Sequence, residues 1–101
     1  MRALETKSAT VTTGTVVTMS DFAFSDGMLD QANGAKISTI TNNINYTEGG
    51  DDPTSSLGHP VIKTASLVAN IPALISGSEN TAGLKMIGLG GSAEVTVTIY
   101  R

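Results

Sequence analysis

The fold class is decided by the stretch Ala93-Glu94-Val95-Thr96-Val97-Thr98-Ile99-Tyr100-Arg101. Apolar side chains occupy every second position, and Glu, Thr and Tyr stand between them. Because successive side chains of a strand point to opposite faces, this period of two predicts a strand that is buried on one face only. Val, Ile and Thr also favour strands. We therefore predict an all-β fold.

The same alternation opens the chain. From Ala9 to Met19 the period of two recurs, and Gly14 interrupts it where a bulge or kink is expected. The polar segment Met1–Lys7 precedes this strand and is predicted to be an N-terminal arm, with residues 8–101 as a single β domain. A chain of 101 residues is long enough for one such domain and too short for two.

The middle of the chain is also predicted to form strands. Asn33-Gly34 is typical of a two-residue hairpin turn, because both residues tolerate a positive φ. After it, Ile37, Ile40 and Ile44 are spaced like one face of a helix. The Thr and Asn content of residues 35–46 nevertheless favours a strand.

Turns rich in Gly, Asn and Ser separate the predicted strands, which are residues 9–19, 35–46, 61–71, 84–89 and 93–101. Short strands at this spacing predict a single small β-sandwich or barrel of five to six mostly antiparallel strands. Residues 20–34 break the pattern and contain both phenylalanines of the chain. They predict one irregular or short helical segment that closes one end of the core.

The composition excludes several classes of function. Charged residues make up 15% of the chain and the net charge is −3, which predicts no binding to nucleic acid or to an anionic membrane. The chain has no cysteine, so disulfides and thiol chemistry are excluded. The first residues contain no apolar core of a secretory signal peptide, and we expect synthesis in the cytoplasm.

Candidate metal ligands cluster in residues 48–60, a long stretch of turn formers without any period. Glu48, Asp51 and Asp52 supply the hard oxygen ligands that calcium prefers, so one hypothesis is a calcium-binding loop and the other a solvated acidic turn. Long loops in small domains often carry function. A β-sandwich module that uses this loop to bind a glycan or a cell-surface ligand, with or without the help of calcium, is therefore one candidate function.

No motif predicts catalysis. His59 is the single histidine, and no strained turn presents a nucleophile to pair with it. The stretch Gly88-Leu89-Gly90-Gly91 lacks the third glycine and the following helix of a dinucleotide site, so it predicts a turn. We expect neither catalytic residues nor a cofactor.

The surface is predicted to be unusually poor in charge. Six basic and nine acidic residues are few for a β monomer that must protect its sheet edges and repel its neighbours. Faces of Thr, Ser and Asn carry little charge and lose their water at low cost. We therefore expect other subunits to bury much of this surface.

Three stretches are rich in Thr, Asn and β-branched residues and poor in charge: Ser8–Thr18, Ile37–Tyr46 and the closing Ala93–Arg101. In this composition the chain resembles the small β-rich structural proteins of tailed bacteriophages, which are capsid decoration or cement proteins and head or tail fibre modules. The resemblance implies a non-enzymatic virion protein made in the host cytoplasm. It also implies a homo-oligomer, with a trimer favoured, that binds major capsid or other virion subunits.

Overall fold

The computed structural model describes residues 2–63 and 73–101. Its strands are β1 (Ala3–Val11), β2 (Val17–Thr18), β3 (Gly34–Ile40), β4 (Ile44–Thr47), β5 (His59–Val61), β6 (Ala73–Ser76), β7 (Lys85–Gly88) and β8 (Ala93–Tyr100). They form two four-stranded antiparallel sheets, the first in the order β1-β8-β3-β6 and the second in the order β2-β7-β4-β5. The all-β prediction is confirmed. The strand count of five to six is wrong: the described residues form eight strands, because two of the predicted strands are each divided between the sheets and β6 lies outside every predicted strand.

Strand β8 lies inside the first sheet, between β1 and β3. Ala93, Val95, Val97 and Ile99 are fully buried, as the alternation predicts. They belong to one hydrophobic core that takes side chains from both sheets, namely Val11, Ala35, Ile37 and Ile75 from the first and Val17, Ile44, Val61 and Met86 from the second. The two sheets therefore enclose a common interior.

The predicted N-terminal arm is part of the sheet. β1 begins at Ala3, and Glu5, Thr6 and Lys7 pair with residues of β8. β8 pairs with β1 from Ala3 to Val11, with one register shift between Ala3 and Glu5, so the backbone of this segment has partners in the sheet. Residues 3–7 are therefore the first part of an edge strand and not a separate segment.

Two predicted strands are divided where the chain crosses from the first sheet to the second. Residues 9–19 separate into β1 and β2, and Gly14 lies at this crossing with φ +82°. Residues 35–46 separate into β3 and β4, with Thr41 at φ +77° between them. Alternate residues face the core on both sides of the first crossing, where Val11 and Val17 are both buried, whereas the alternation shifts at the second crossing, where Ile40 is exposed and Ile44 is buried.

The hairpin predicted at Asn33-Gly34 is absent from the described structure. Residues 28–31 form a short helix, α1 (Met28–Gln31), and Gly34 is the first residue of β3. The Asn33 N–H donates to the carbonyl of Tyr100, and its own carbonyl accepts from the Gly77 N–H. The backbone groups of Asn33 therefore form hydrogen bonds with residues distant in the sequence and do not close a local hairpin turn.

The predicted helical segment at 20–34 is confirmed as a 3-10 turn, Met19–Phe22, followed by α1. Phe22 is buried in the core, and Phe24 stacks on it with ring centroids 6.1 Å apart. A second short helix, α2 (Ser78–Ala82), is not anticipated by the sequence pattern. Of the predicted strand 61–71, Val61 is the last residue of β5, and residues 64–71 lie outside the described part of the chain.

Three segments that connect the sheets meet at one end of the molecule. The Gly88 N–H donates to the Thr12 carbonyl, and the Gly91 N–H donates to the Thr13 hydroxyl at 2.8 Å. Leu89 N–H donates to the Asn43 carbonyl. The segments 12–16, 41–43 and 89–92 are therefore bonded to one another, and we call them the crossover end.

Gly88 is the tightest point of the crossover end. A Cβ built on it lies 2.7 Å from the Gly91 carbonyl oxygen, 2.8 Å from the Thr12 carbonyl carbon and 3.0 Å from the Thr13 nitrogen. All three are backbone atoms, which cannot move aside as the end of a flexible side chain can. A side chain at this position therefore forces the crossings apart.

We predict that Gly88→Ala lowers the free energy of unfolding by about 1–3 kcal/mol, the usual cost of overpacking. Gly90→Ala is the matched control, because a Cβ at Gly90 meets nothing within 4 Å. Urea denaturation of the two variants and the wild type provides the measurement. Equal stability of the two variants would contradict the assigned packing.

Glu5 connects β1 to the loop before α1. Its carboxylate accepts hydrogen bonds from the Ser25 hydroxyl at 2.6 Å and from the Ser25 N–H at 2.7 Å. These bonds, the hydroxyl bond first, favour the charged form and lower the pKa of Glu5 below its ordinary value. The stability that Glu5 contributes is therefore present above its unfolded pKa and is lost as the pH falls through its folded pKa.

We predict that Glu5→Gln lowers the melting temperature at neutral pH and that this difference from the wild type shrinks as the solution is acidified. The other carboxylates are common to both proteins, so the difference isolates Glu5. Thermal melts across the acidic range measure it. If the difference in melting temperature between the two proteins stays constant with pH, the charge of Glu5 does not contribute to stability.

Candidate functional site

Small hydroxyl side chains dominate the outer face of the first sheet, the face that points away from the core. Residues paired across the sheet share one side, and those opposite the core are Thr6, Ser8 and Thr10 on β1, Glu94, Thr96, Thr98 and Tyr100 on β8, Lys36, Ser38 and Ile40 on β3, and Leu74 and Ser76 on β6. We call this set the outer face. It contains one cation, Lys36, and one anion, Glu94.

Hydroxyl groups on the outer face bond to one another across β1 and β8. The Thr6 and Thr98 hydroxyl oxygens lie 2.7 Å apart, and those of Ser8 and Thr96 lie 3.1 Å apart. Each of these four hydroxyls thus already has a partner within the sheet. Covering this half of the face removes water from groups that keep a hydrogen bond.

The other half of the outer face is apolar at two positions. Leu74 is 63% exposed and Ile40 is 58% exposed, which makes them two of the most exposed large hydrophobic residues described. Lys36 lies beside Leu74 in the pairing of β3 with β6, and Glu94 lies beside Ile40 in the pairing of β3 with β8. Each exposed apolar side chain therefore has a charged neighbour in its own row of the sheet.

Residues 48–58 lie over the second sheet and are held by side chains of its strands. Asn45 donates from Nδ2 to the Thr54 carbonyl at 3.0 Å, and the Thr47 hydroxyl donates to the Asp51 carbonyl. Lys85 donates from Nζ to the Gly50 carbonyl at 2.9 Å and pairs with the Asp52 carboxylate at 2.8 Å. Asn45 and Thr47 are buried beneath this cover.

The three candidate calcium ligands are not assembled as a metal site. Within residues 2–63 and 73–101 there is no group of three or more His, Cys, Asp or Glu that could hold a metal ion. Asp52 is bonded to Lys85, whereas Glu48 and Asp51 line a neighbouring cleft. The closeness of Glu48, Asp51 and Asp52 in the sequence therefore does not bring three carboxylates together as metal ligands, and the Asp52 carboxylate is already paired with Lys85.

This cleft has a volume of about 460 Å³ and is lined by residues from the start and from the end of the loop. Glu48, Asp51 and Ser56 give it polar walls, and Leu57 and His59 supply a half-exposed apolar side chain and an imidazole ring. The His59 ring lies 5.5 Å from that of Tyr46, centroid to centroid. Burial, and then the charge of Glu48, raise the pKa of Tyr46 above its ordinary value, so the phenol stays neutral at physiological pH.

The sequence pattern located part of these surfaces. It predicted which residues of β8 face outward and that residues 48–60 contain a loop, and the structure shows both. It did not identify Lys36 and Leu74 as neighbours of the β8 face, nor Lys85 as the partner of Asp52. Strand order decides those contacts, and no local signal in the sequence carries it.

Comparisons with protein families, with curated proteins and with solved structures found no match to this chain. No helix in the described residues has the length and apolar character needed to cross a membrane. The outer face and the cleft are therefore the basis on which a function can be assigned.

Proposed function

We propose that this chain is a non-enzymatic structural protein of a virion, which decorates or cements a phage capsid or forms a head or tail accessory module. The observation that carries the proposal is the outer face of the first sheet, with its paired hydroxyls, two exposed apolar residues and one charge of each sign. It supports association with other protein subunits, because desolvating such a face costs little and charge does not oppose it.

Noncovalent clamping follows from the physics of such a face. Each copy buries a modest area against a neighbour, and the symmetry of a shell repeats that contact many times. The free energy of a single contact can then be small, while the sum over all contacts stabilises the assembled shell strongly. A pocket for chemistry is not needed for this function.

The proposal predicts where the protein is found. We expect an antibody against the purified chain to label phage particles released from the source cells, on the capsid or on the tail, in immunogold electron microscopy. Particles incubated with pre-immune serum are the control. Recovery of the protein only in the particle-free fraction of the lysate, with unlabelled particles, would overturn the virion assignment.

A second candidate function is a binding module, and the cleft beside the loop favours it. Carboxylates at Glu48 and Asp51 can accept hydrogen bonds from sugar hydroxyls, while Leu57 and His59 offer a surface for the less polar face of a sugar ring. A glycan or another cell-surface polyol is the ligand class that matches these groups. Calcium is not required for binding of this kind.

For this second function we predict binding to at least one member of a glycan array and loss of that binding in Asp51→Asn and Leu57→Ser. Leu74→Ser is the matched control, because Leu74 is also apolar and exposed but lies on the first sheet. A wild-type protein that binds no glycan, or a Leu74→Ser variant that loses binding as fully as Leu57→Ser, would exclude the cleft.

A further inference from the structure

We propose that the partner covering the outer face is a second copy of this chain, packed face to face about a twofold axis. This pairing rests on the proposed function only in taking the outer face as an association surface. It goes further in naming the occupant and the residues that meet, and it gives a dimer where the resemblance to phage proteins implies a trimer. The positions of the two charges and the two exposed apolar side chains in the register of the sheet determine the arrangement.

The register places most of the outer face in three rows that run across the strands. The first row is Thr6, Thr98, Lys36 and Leu74, the middle row is Ser8, Thr96 and Ser38, and the third row is Thr10, Glu94 and Ile40. Lys36 and Glu94 thus lie two rows apart and on adjacent strands. Leu74 and Ile40 repeat the same offset, two rows and one strand apart.

A twofold axis along the middle row exchanges the first and third rows. Stacked sheets cross at an angle because each is twisted, and this angle displaces the two outer rows sideways in opposite directions relative to their partner rows. A displacement of one strand sets Lys36 against Glu94 of the second copy. The same displacement sets Leu74 against Ile40 of the second copy, so a single operation satisfies both kinds of group.

The middle row permits the close approach that this packing needs. Ser8, Thr96 and Ser38 have short side chains, and the Ser8 and Thr96 hydroxyls are already bonded to each other. A partner sheet can therefore approach along the axis without leaving these two hydroxyls unpaired. Each salt bridge and each apolar contact occurs twice, as twofold symmetry requires.

Other modes of association fit the structure less well. β1 is the edge strand of its sheet, and Lys7 is its central residue. Antiparallel pairing of two β1 strands about their centres would bring two Lys7 side chains together, and charges on an edge strand oppose such pairing. A strongly charged partner is disfavoured as well, since the outer face has one charge of each sign.

Charge reversal tests the proposal. The mass of the full chain is measured by size-exclusion chromatography with light scattering over a hundredfold range of concentration, for the wild type, Lys36→Glu, Glu94→Lys and the double variant. We expect a dimer for the wild type and an increase of about tenfold or more in Kd for each single variant, because like charges then face each other. The double variant restores opposite charges and is expected to recover the wild-type Kd.

The matched control is Asp26→Lys, which reverses an exposed charge away from the outer face and should leave the Kd unchanged. Thermal melts identify any variant that has lost its fold, and Leu74→Asp provides a second disruption of the same contact. A wild type that is monomeric throughout, single variants that dimerise as the wild type does, or a double variant that stays monomeric would each overturn the proposal. These outcomes leave the particle-labelling result independent, so the two proposals fail separately.

Discussion

The close backbone contact at Gly88 is the constraint on which the two-sheet arrangement depends. Where the chain passes from one sheet to the other, Gly88 lies against Thr12, Thr13 and Gly91 with no room for a side chain. Hydrogen bonds join the crossings there, so each crossing holds the others in place. The relative position of the sheets, and hence a closed core, follows from this contact. The small size of the domain makes it more important, since few other contacts can compensate.

The fold was predictable where the determining information is local. The alternation of residues 93–100 predicted both the existence of β8 and which of its side chains are buried. The same alternation was misleading at Gly14, because the strand changes sheets there while its alternate residues stay on the side of the shared core. At Thr41 the alternation itself shifts, since Ile40 is exposed and Ile44 is buried. The hairpin predicted at Asn33-Gly34 was wrong for a different reason. The backbone of Asn33 forms long-range hydrogen bonds with Tyr100 and Gly77, and these override the local preference for a turn.

The candidate surfaces were predictable to a smaller extent. A low content of charge predicts that some face is to be buried, and it does not say which one. The outer face exists only once β8 is placed between β1 and β3, which joins residues from opposite ends of the chain. The predicted calcium ligands show that closeness in the sequence does not by itself assemble a site. Glu48, Asp51 and Asp52 are close in sequence, yet Asp52 is bonded to a lysine of a distant strand.

The loop over the second sheet is attached mainly through its main chain. Asn45, Thr47 and Lys85 donate to the carbonyl groups of Thr54, Asp51 and Gly50, and every residue type supplies a carbonyl. The exposed side chains of the loop other than Asp52 are therefore largely released from the task of holding it in place, whereas Gly49 and Gly50 keep a positive φ and Pro53 is buried. Sequence can diversify at those exposed positions at little cost to folding, so the second sheet acts as a fixed platform on which new recognition surfaces can evolve or be installed by design.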